Sequence, residues 1–235
     1  VPSGFIVTAD AYRYFLKEAK LEDTIRRVLA GFDARDVREL ARRGKKIRAA
    51  FERATLPAPL MEEIAQGYAA LEREYGARID VAVRSSATAE DLPGASFAGE
   101  HETFLGVRGM PDVVAAVKSA MASLFTDRAI SYRIDKGFDH TKIALSVAIQ
   151  RMVRSDKGAS GVMVTVDTES GFQNVVIINA SWGLGEMVVQ GHVTPDEYMV
   201  AKHAISSAPD PIIARTLGSK TQKMIYRIGA GGIRP

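Results

Sequence analysis

Residues 79–106, IDVAVRSSATAEDLPGASFAGEHETFLG, decide how the rest of the chain is read. Both ends predict strands. Ile79, Val81 and Val83 alternate with Asp80, Ala82 and Arg84, and Phe104 and Leu105 reopen an apolar run. Between them nearly every residue is small or turn-forming. Ser85, Ser86, Ala87, Thr88, Ala89, Gly94, Ala95, Ser96, Ala98 and Gly99 leave the backbone uncovered. Bare N–H groups and hydroxyls beside one fixed cation, here Arg84, are what a polyphosphate requires. The same composition also describes a long surface loop between two strands, and the spacing is not that of a Walker A loop. The residues alone leave both readings open.

Before this stretch the pattern is mostly helical. Residues 4–8 predict a short strand, and Thr8 or Asp10 then caps a helix to about Ala19, with Tyr12, Phe15 and Leu16 on one face. Helices are predicted near Leu21–Gly31, Ala34–Ala54 and Pro59–Tyr75, the last ended by Gly76. Arg42, Arg43, Lys45 and Lys46 read as a solvated helix face rather than an anion patch. After the central stretch, Pro111 opens an amphipathic helix with Val113, Val117, Met121 and Phe125 inward, and Thr126 caps another through Lys136. Arg128 and Arg133 lie in that second helix; surface ion pairing is favoured over phosphate contact for either one.

From residue 142 the pattern turns to strands. Ile143, Leu145, Val147 and Ile149 alternate with smaller or polar residues and run into Gln150. Asp156, Lys157 and Gly158 predict a hairpin leading into a strand at 161–167. Residues 174–180 read as a central apolar strand. Ser181–Glu186 is a glycine turn opening a short helix, 197–202 is a further strand, and Ile212, Ile213, Met224 and Ile225 suit an edge hairpin. The expected fold is therefore α+β: a helix-rich first lobe over 1–138 and a β-rich second lobe over 139–235 with a mainly antiparallel sheet.

Composition narrows the chemistry. Of 235 residues 46% are hydrophobic and 25% charged, as in ordinary globular proteins, and the net charge of +3 is too small to argue for nucleic acid. No apolar run approaches the roughly 20 residues that span a bilayer, so no membrane partner is expected. With no cysteine, disulfides, zinc-thiolate sites and cysteine nucleophiles are excluded, and the reducing cytoplasm is the natural compartment. His101, His140, His192 and His203 show no metal-ligand spacing, so no metal residue is assigned. There is no G-x-S-x-G elbow and no protein-kinase H-R-D or D-F-G set. The chain opens without Met and ends without a closing element, and is expected to be a fragment of a longer one.

What remains is a pair of glycine-bearing strand exits, at 84–99 and 181–191, on the two expected lobes. A cleft between lobes is a common place for a nucleotide. Arg84 would meet its phosphates as an always-charged fork, and N–H groups near Gly99 would add donors. Gln150 reads as a hydrogen-bonding partner for an adenine edge or a ribose, or as a polar strand-edge residue, which spacing favours. Glu186 suits Mg²⁺ or a ribose hydroxyl, or a structural place at a helix start.

At this point the ordered blocks carry a resemblance. Val83–Gly99 closely resembles the ATP-binding segment of the phosphoenolpyruvate synthase (pyruvate, water dikinase) family. Asp127–Arg133, Gln150–Val153, Ser160–Met163, Asp167–Phe172 and Trp182–Gly191 look like the same family, in family order, so the likeness covers nearly the whole chain. Pyruvate phosphate dikinase and rifampicin phosphotransferase share parts of it; Asp167–Phe172 and Gly-Ser-Lys at 218–220 look most like the synthase.

The resemblance implies an ATP-grasp nucleotide-binding domain using ATP and Mg²⁺. In the family, ATP gives its β-phosphate to a histidine on a swivelling domain, releasing AMP and phosphate, and a pyruvate-binding domain receives that phosphoryl group to form phosphoenolpyruvate. Those two domains are the implied partners, and a homodimer is one assembly open to it. Carried over by position, the resemblance puts the family's ATP arginine, with a catalytic role, on Arg84. It puts phosphate- and ribose-side contacts on Gly99 and Thr103, and the adenine-side glutamine on Gln150. The family's phosphate-binding lysine loop, metal-binding glutamate and phosphohistidine have no counterpart here. The alternatives are the same domain of pyruvate phosphate dikinase or rifampicin phosphotransferase, or a non-catalytic nucleotide-binding fragment.

Overall fold

The computed structural model describes residues 1–32, 36–88, 91–92, 95–96, 103–226 and 233–234. The chain forms two compact units, Val1–Met152 and Val153–Pro235. The first contains β1 (Gly4–Val7), α1 (Ala9–Glu18), α2 (Leu21–Leu29), α3 (Val37–Arg53), α4 (Ala58–Tyr75), β2 (Asp80–Ala87), β3 (Asp91–Leu92), β4 (Ala95–Ser96), β5 (Thr103–Arg108), α5 (Met110–Ala122), α6 (Asp127–Asp135) and β6 (Leu145–Arg151). Four of these strands make one antiparallel sheet in the order β1-β6-β2-β5, and β3 pairs only with β4.

The helices start where their caps sit. Thr8 Oγ1 accepts from the Ala11 N–H, Asp36 from Arg38 and Glu39, and Thr126 from Ala129, each satisfying an otherwise unpaired first-turn donor. The end of α3 is capped differently: Lys118 Nζ on α5 donates to the carbonyls of Glu52 and Ala54 at 2.6 and 3.1 Å. On α3, Arg42 and Arg43 both donate to Glu39 and hold its carboxyl down at about 2. Arg43 is not part of a solvated face. It reaches back to the carbonyls of Val28 and Ala30 and lies 4.8 Å from the Phe32 ring, tying the end of α2 to α3.

Alternation along the strands builds the core. Val81, Val83, Leu145, Val147 and Ile149 are fully buried on one face of the sheet, against α1, α4 and α5. Behind them, Phe51 stacks with Tyr12 (6.3 Å) and meets Phe15 and Phe125 at 6.0 and 5.5 Å. Gly67 on α4 packs over the Phe5 ring, where a Cβ would come within 2.8 Å.

In the second unit, β7 (Ala159–Val164), β8 (Val175–Trp182), β9 (Asp196–Ala201) and β10 (Ile212–Thr216) form an antiparallel sheet in the order β10-β9-β8-β7, with α7 (Glu186–Val189) following β8. β11 (Ile225–Tyr226) pairs with β12 (Ile233–Arg234). The mixed helical and antiparallel α+β character and the interior place of β8 agree with the sequence reading.

Three expectations change. The units divide after Met152 rather than after residue 138, because β6 is inserted between β1 and β2. For the same reason no hairpin forms at 154–160: β6 and β7 belong to different sheets. Ile212 and Ile225 do not share a hairpin either, since β10 pairs with β9 and β11 with β12.

Arg133 also departs from expectation. It is fully buried rather than a surface ion-pair residue. Its Nε–H donates to His140 Nδ1 at 3.0 Å and its guanidinium lies 5.2 Å from the Phe125 ring. Burial pulls its pKa down to about 10, and burial followed by the Arg133 charge pulls His140 down to about 4. An ordinary histidine titrates near 6.5. The unfolded chain therefore takes up the His140 proton first, and stability falls as pH drops from about 6.5 toward 4. His140→Gln, whose amide oxygen can still accept from Arg133, is expected to flatten that part of the profile. Urea midpoints of the chain at pH 7, 5.5 and 4 check this; parallel profiles for the two forms would contradict it.

Candidate functional site

The sheet of the first unit has a helix-covered face and an opposite face, and strand register assigns each residue to one of them. On β2, Val81 and Val83 point to the core, so Ala82, Arg84 and Ser86 take the other side. Arg84 is paired with Thr103 on β5 and with Ala148 on β6, and Ala82 with Gln150. Directly paired residues share a face, and diagonal neighbours lie about 7–8 Å apart. Arg84, Thr103 and Gln150 thus come together on one face, with Ser86, Ser146 and the 63% exposed Ile6 beside them. Arg84 and Thr103 are exposed and Gln150 is half-buried. Among the described residues Arg84 makes no ion pair, which leaves its guanidinium available to an anion.

This placement corrects the expectation that Gln150 lies on the second lobe facing Arg84. The two residues are on adjacent strands of one sheet, because β6 is a strand of the first unit. Gln150 is flanked by two small residues: Gly4 is its partner on β1 and Ala82 its partner on β2. A Cβ on Gly4 would meet the Ile149 carbonyl at 2.3 Å and Gln150 Cγ at 3.1 Å. Sequence reading missed Gly4 as part of this face. The signal was there in the glycine that opens β1, but only pairing gives it a neighbour. Gly99 lies outside the described residues.

Glu186 belongs to the second unit, as the first residue of α7. Gln190 Nε2 donates to its Oε1 at 2.7 Å, while Oε2 is buried without a hydrogen-bond partner among the described residues. The turn before it depends on Gly183, which has φ +80 and would place a Cβ 2.4 Å from the Met224 carbonyl. Gly183 pairs with Met224, and Ser160 Oγ donates to the Gly183 carbonyl at 2.6 Å. The Gly-Ser-Lys segment folds against the start of β9: Lys220 Nζ and the Gly218 N–H both donate to Asp196 Oδ1, so the lysine is committed to a part-buried pair. That pairing holds the Asp196 carboxyl below its usual range. Among the described residues no group of three or more His, Asp or Glu side chains converges to hold a metal.

The family model for the pyruvate phosphate dikinase AMP/ATP-binding domain matches residues 1–234. The chain belongs to this family. Among its relatives are phosphoenolpyruvate synthases of Aquifex aeolicus, 53% identical over 97% of this chain and 27% of that protein, and of Deinococcus radiodurans, 53% identical over 100% and 29%. The phosphoenolpyruvate synthase of Escherichia coli is 50% identical over 96% of this chain and 28% of its own length. The chain thus spans just over a quarter of the length of these relatives. No helix among the described residues is long and apolar enough to cross a membrane.

A prediction follows from the space around Gln150. Gly4→Ala in this family domain must push β1 off the Ile149 carbonyl, and overpacking of that kind costs about 1–3 kcal/mol. The expected result is a lower urea midpoint for the chain. An unchanged midpoint would show that β1 does not approach β6 as closely as described.

Proposed function

We propose that this chain is the nucleotide-binding portion of a pyruvate, water dikinase, which turns ATP, pyruvate and water into AMP, phosphoenolpyruvate and phosphate. The observation that carries the reading is the shared face of Arg84, Thr103 and Gln150, within a domain family described by AMP and ATP binding. The names of the relatives support the choice of reaction. In this reading the triphosphate lies across Arg84. A guanidinium presents two parallel N–H donors and cannot lose its proton, so it suits a phosphoryl oxygen that gains charge as the Pα–O–Pβ bond breaks. Thr103, directly across from Arg84, adds a hydroxyl at the phosphate and ribose side. Gln150 offers a donor and an acceptor to the base. Gly99 supplies a backbone N–H to the phosphates.

Mg²⁺ would come with the triphosphate. Such an ion commonly keeps waters and takes one or two carboxylates besides the phosphates. The Oε2 of Glu186, buried and without a hydrogen-bond partner among the described residues, has the chemistry of such a carboxylate ligand, and the ion's part would be to offset phosphate charge. The receiving histidine and the pyruvate site would lie on further domains of the full-length protein, acting in the cytoplasm. A histidine nitrogen takes the β-phosphoryl group and AMP leaves; the terminal phosphate is released by water; the phosphohistidine then gives its phosphoryl group to the enolate oxygen of pyruvate.

The family's own description favours one competing reaction, that of a pyruvate phosphate dikinase. Full-length protein given ATP and pyruvate should form AMP and inorganic phosphate without added phosphate. A requirement for phosphate with release of pyrophosphate would select the competitor instead. Arg84→Ala is expected to lower kcat for AMP formation by a factor of roughly 10²–10³, the usual loss for one preorganised charge contact. Unchanged turnover would remove Arg84 from the site.

A further inference from the structure

Gln150 is followed by a residue on the opposite face. Arg151 lies on the helix side of β6, paired with Val81. Its N–H donates to the Ser3 carbonyl at 2.9 Å, and the next N–H, of Met152, donates to the Asp80 carbonyl at 2.9 Å. Its guanidinium sits 4.2 Å from the centre of the Tyr75 ring, at the last residue of α4. The Tyr75 hydroxyl in turn shares a 2.7 Å hydrogen bond with the Ser3 hydroxyl. These contacts close a circuit: Ser3 backbone to Arg151 backbone, Arg151 side chain to Tyr75 ring, Tyr75 hydroxyl to Ser3 side chain. Arg151 Nε is buried without a hydrogen-bond partner among the described residues, and the ring face lies against that guanidinium.

We propose that the Ser3–Tyr75–Arg151 circuit is a positioning device for Gln150, fixing the end of β6 so that the amide is presented to the nucleotide base in one orientation. This rests on the reading of Gln150 as a base contact. The peptide between residues 150 and 151 is shared, so holding Arg151 on one face limits where Gln150 can point on the other. Gly4 and Ala82 on either side of Gln150 are too small to hold it by packing. The circuit supplies orientation through the backbone, to which it is bonded at that end of the strand. Arg84, two residue pairs further along the sheet, is anchored independently by its own pairing with β5 and β6.

The test separates the base end of the ligand from its phosphate end. In full-length protein, affinities for ATP and for tripolyphosphate are measured by calorimetry. Arg151→Ala should weaken ATP binding about 3- to 10-fold, the scale of a half-buried cation–π contact, and leave tripolyphosphate binding unchanged. Arg151→Lys, which keeps a cation over the ring, should recover most of the loss. Tyr75→Leu should match Arg151→Ala, and the double variant should be no worse than either single one. Equal losses on both probes, or a lysine variant as weak as the alanine variant, would overturn the proposal as a general structural defect. If Arg151→Ala does not fold, Arg151→Gln, similar in length but uncharged, takes its place. Gln150→Ala distinguishes the two readings. Impaired ATP binding there beside a neutral Arg151→Ala overturns the circuit alone. A neutral Gln150→Ala overturns the base contact, and the proposal with it.

Discussion

The first unit depends on β6 lying between β1 and β2. One strand, Leu145–Arg151, supplies the backbone partners of both neighbours, and it places Leu145, Val147 and Ile149 at full burial in the core. Strand side chains repeat every two residues, so a slip of one would move those three onto the open face and bring Ser146, Ala148 and Gln150 into the core. Burying a large aliphatic side chain is worth about 1.5–3 kcal/mol, and burying an unpaired amide is unfavourable. The slipped register is excluded by several such terms at once. The same alternation that makes the core places Gln150 level with Ala82 and two pairs from Arg84. Core and candidate site are two faces of one register.

This explains what the sequence could and could not reveal. Helices were legible because their signals are local: Thr8 and Thr126 cap within three residues, and Tyr12, Phe15, Leu40, Ile47 and Phe51 recur at helical spacing. The strands were legible by alternation, including the polar residues of β6 that form its open face. Partners were not. Periodicity says that a strand has two faces, not which strand lies beside it, and β6 begins more than fifty residues after β2 ends. Sequence proximity suggested β7 instead, and a glycine after Asp156 and Lys157 looked like a hairpin. That error moved the boundary between units and put Gln150 on the wrong one.

Arg84 was legible for a physical reason that Arg133 lacked. It is a lone cation in an alternating strand whose neighbours Val81 and Val83 are core residues, so its own face had to be the other one. Arg133 lies three residues after Ile130 and four after Ala129 on the inward face of a short helix, but a long side chain there ordinarily carries its charge out to water. Nothing local told that it would be buried against Phe125 and His140. Glu186 was legible as a helix start, but the buried, unpartnered oxygen that distinguishes it depends on the fold around it.

The two arginines show why an anion is better met on the open face. Arg133 is charged in a place that disfavours charge. Burial lowers its pKa to about 10, and its neighbours are an uncharged histidine and a ring rather than a carboxylate. An incoming anion would have to enter the helical core to reach it, breaking packing around Phe51 and Phe125. Arg84 carries the same group on a rigid strand at the surface, held by two neighbouring strands and bound to no carboxylate among the described residues. Its position is set by backbone pairing, so little further ordering is needed when an anion arrives, and the neighbouring strands are already braced by the core behind them. A preorganised cation is therefore compatible with a stable domain only where the sheet turns its polar residues away from the helices, and in the first unit that face is the one shared by Arg84, Thr103 and Gln150.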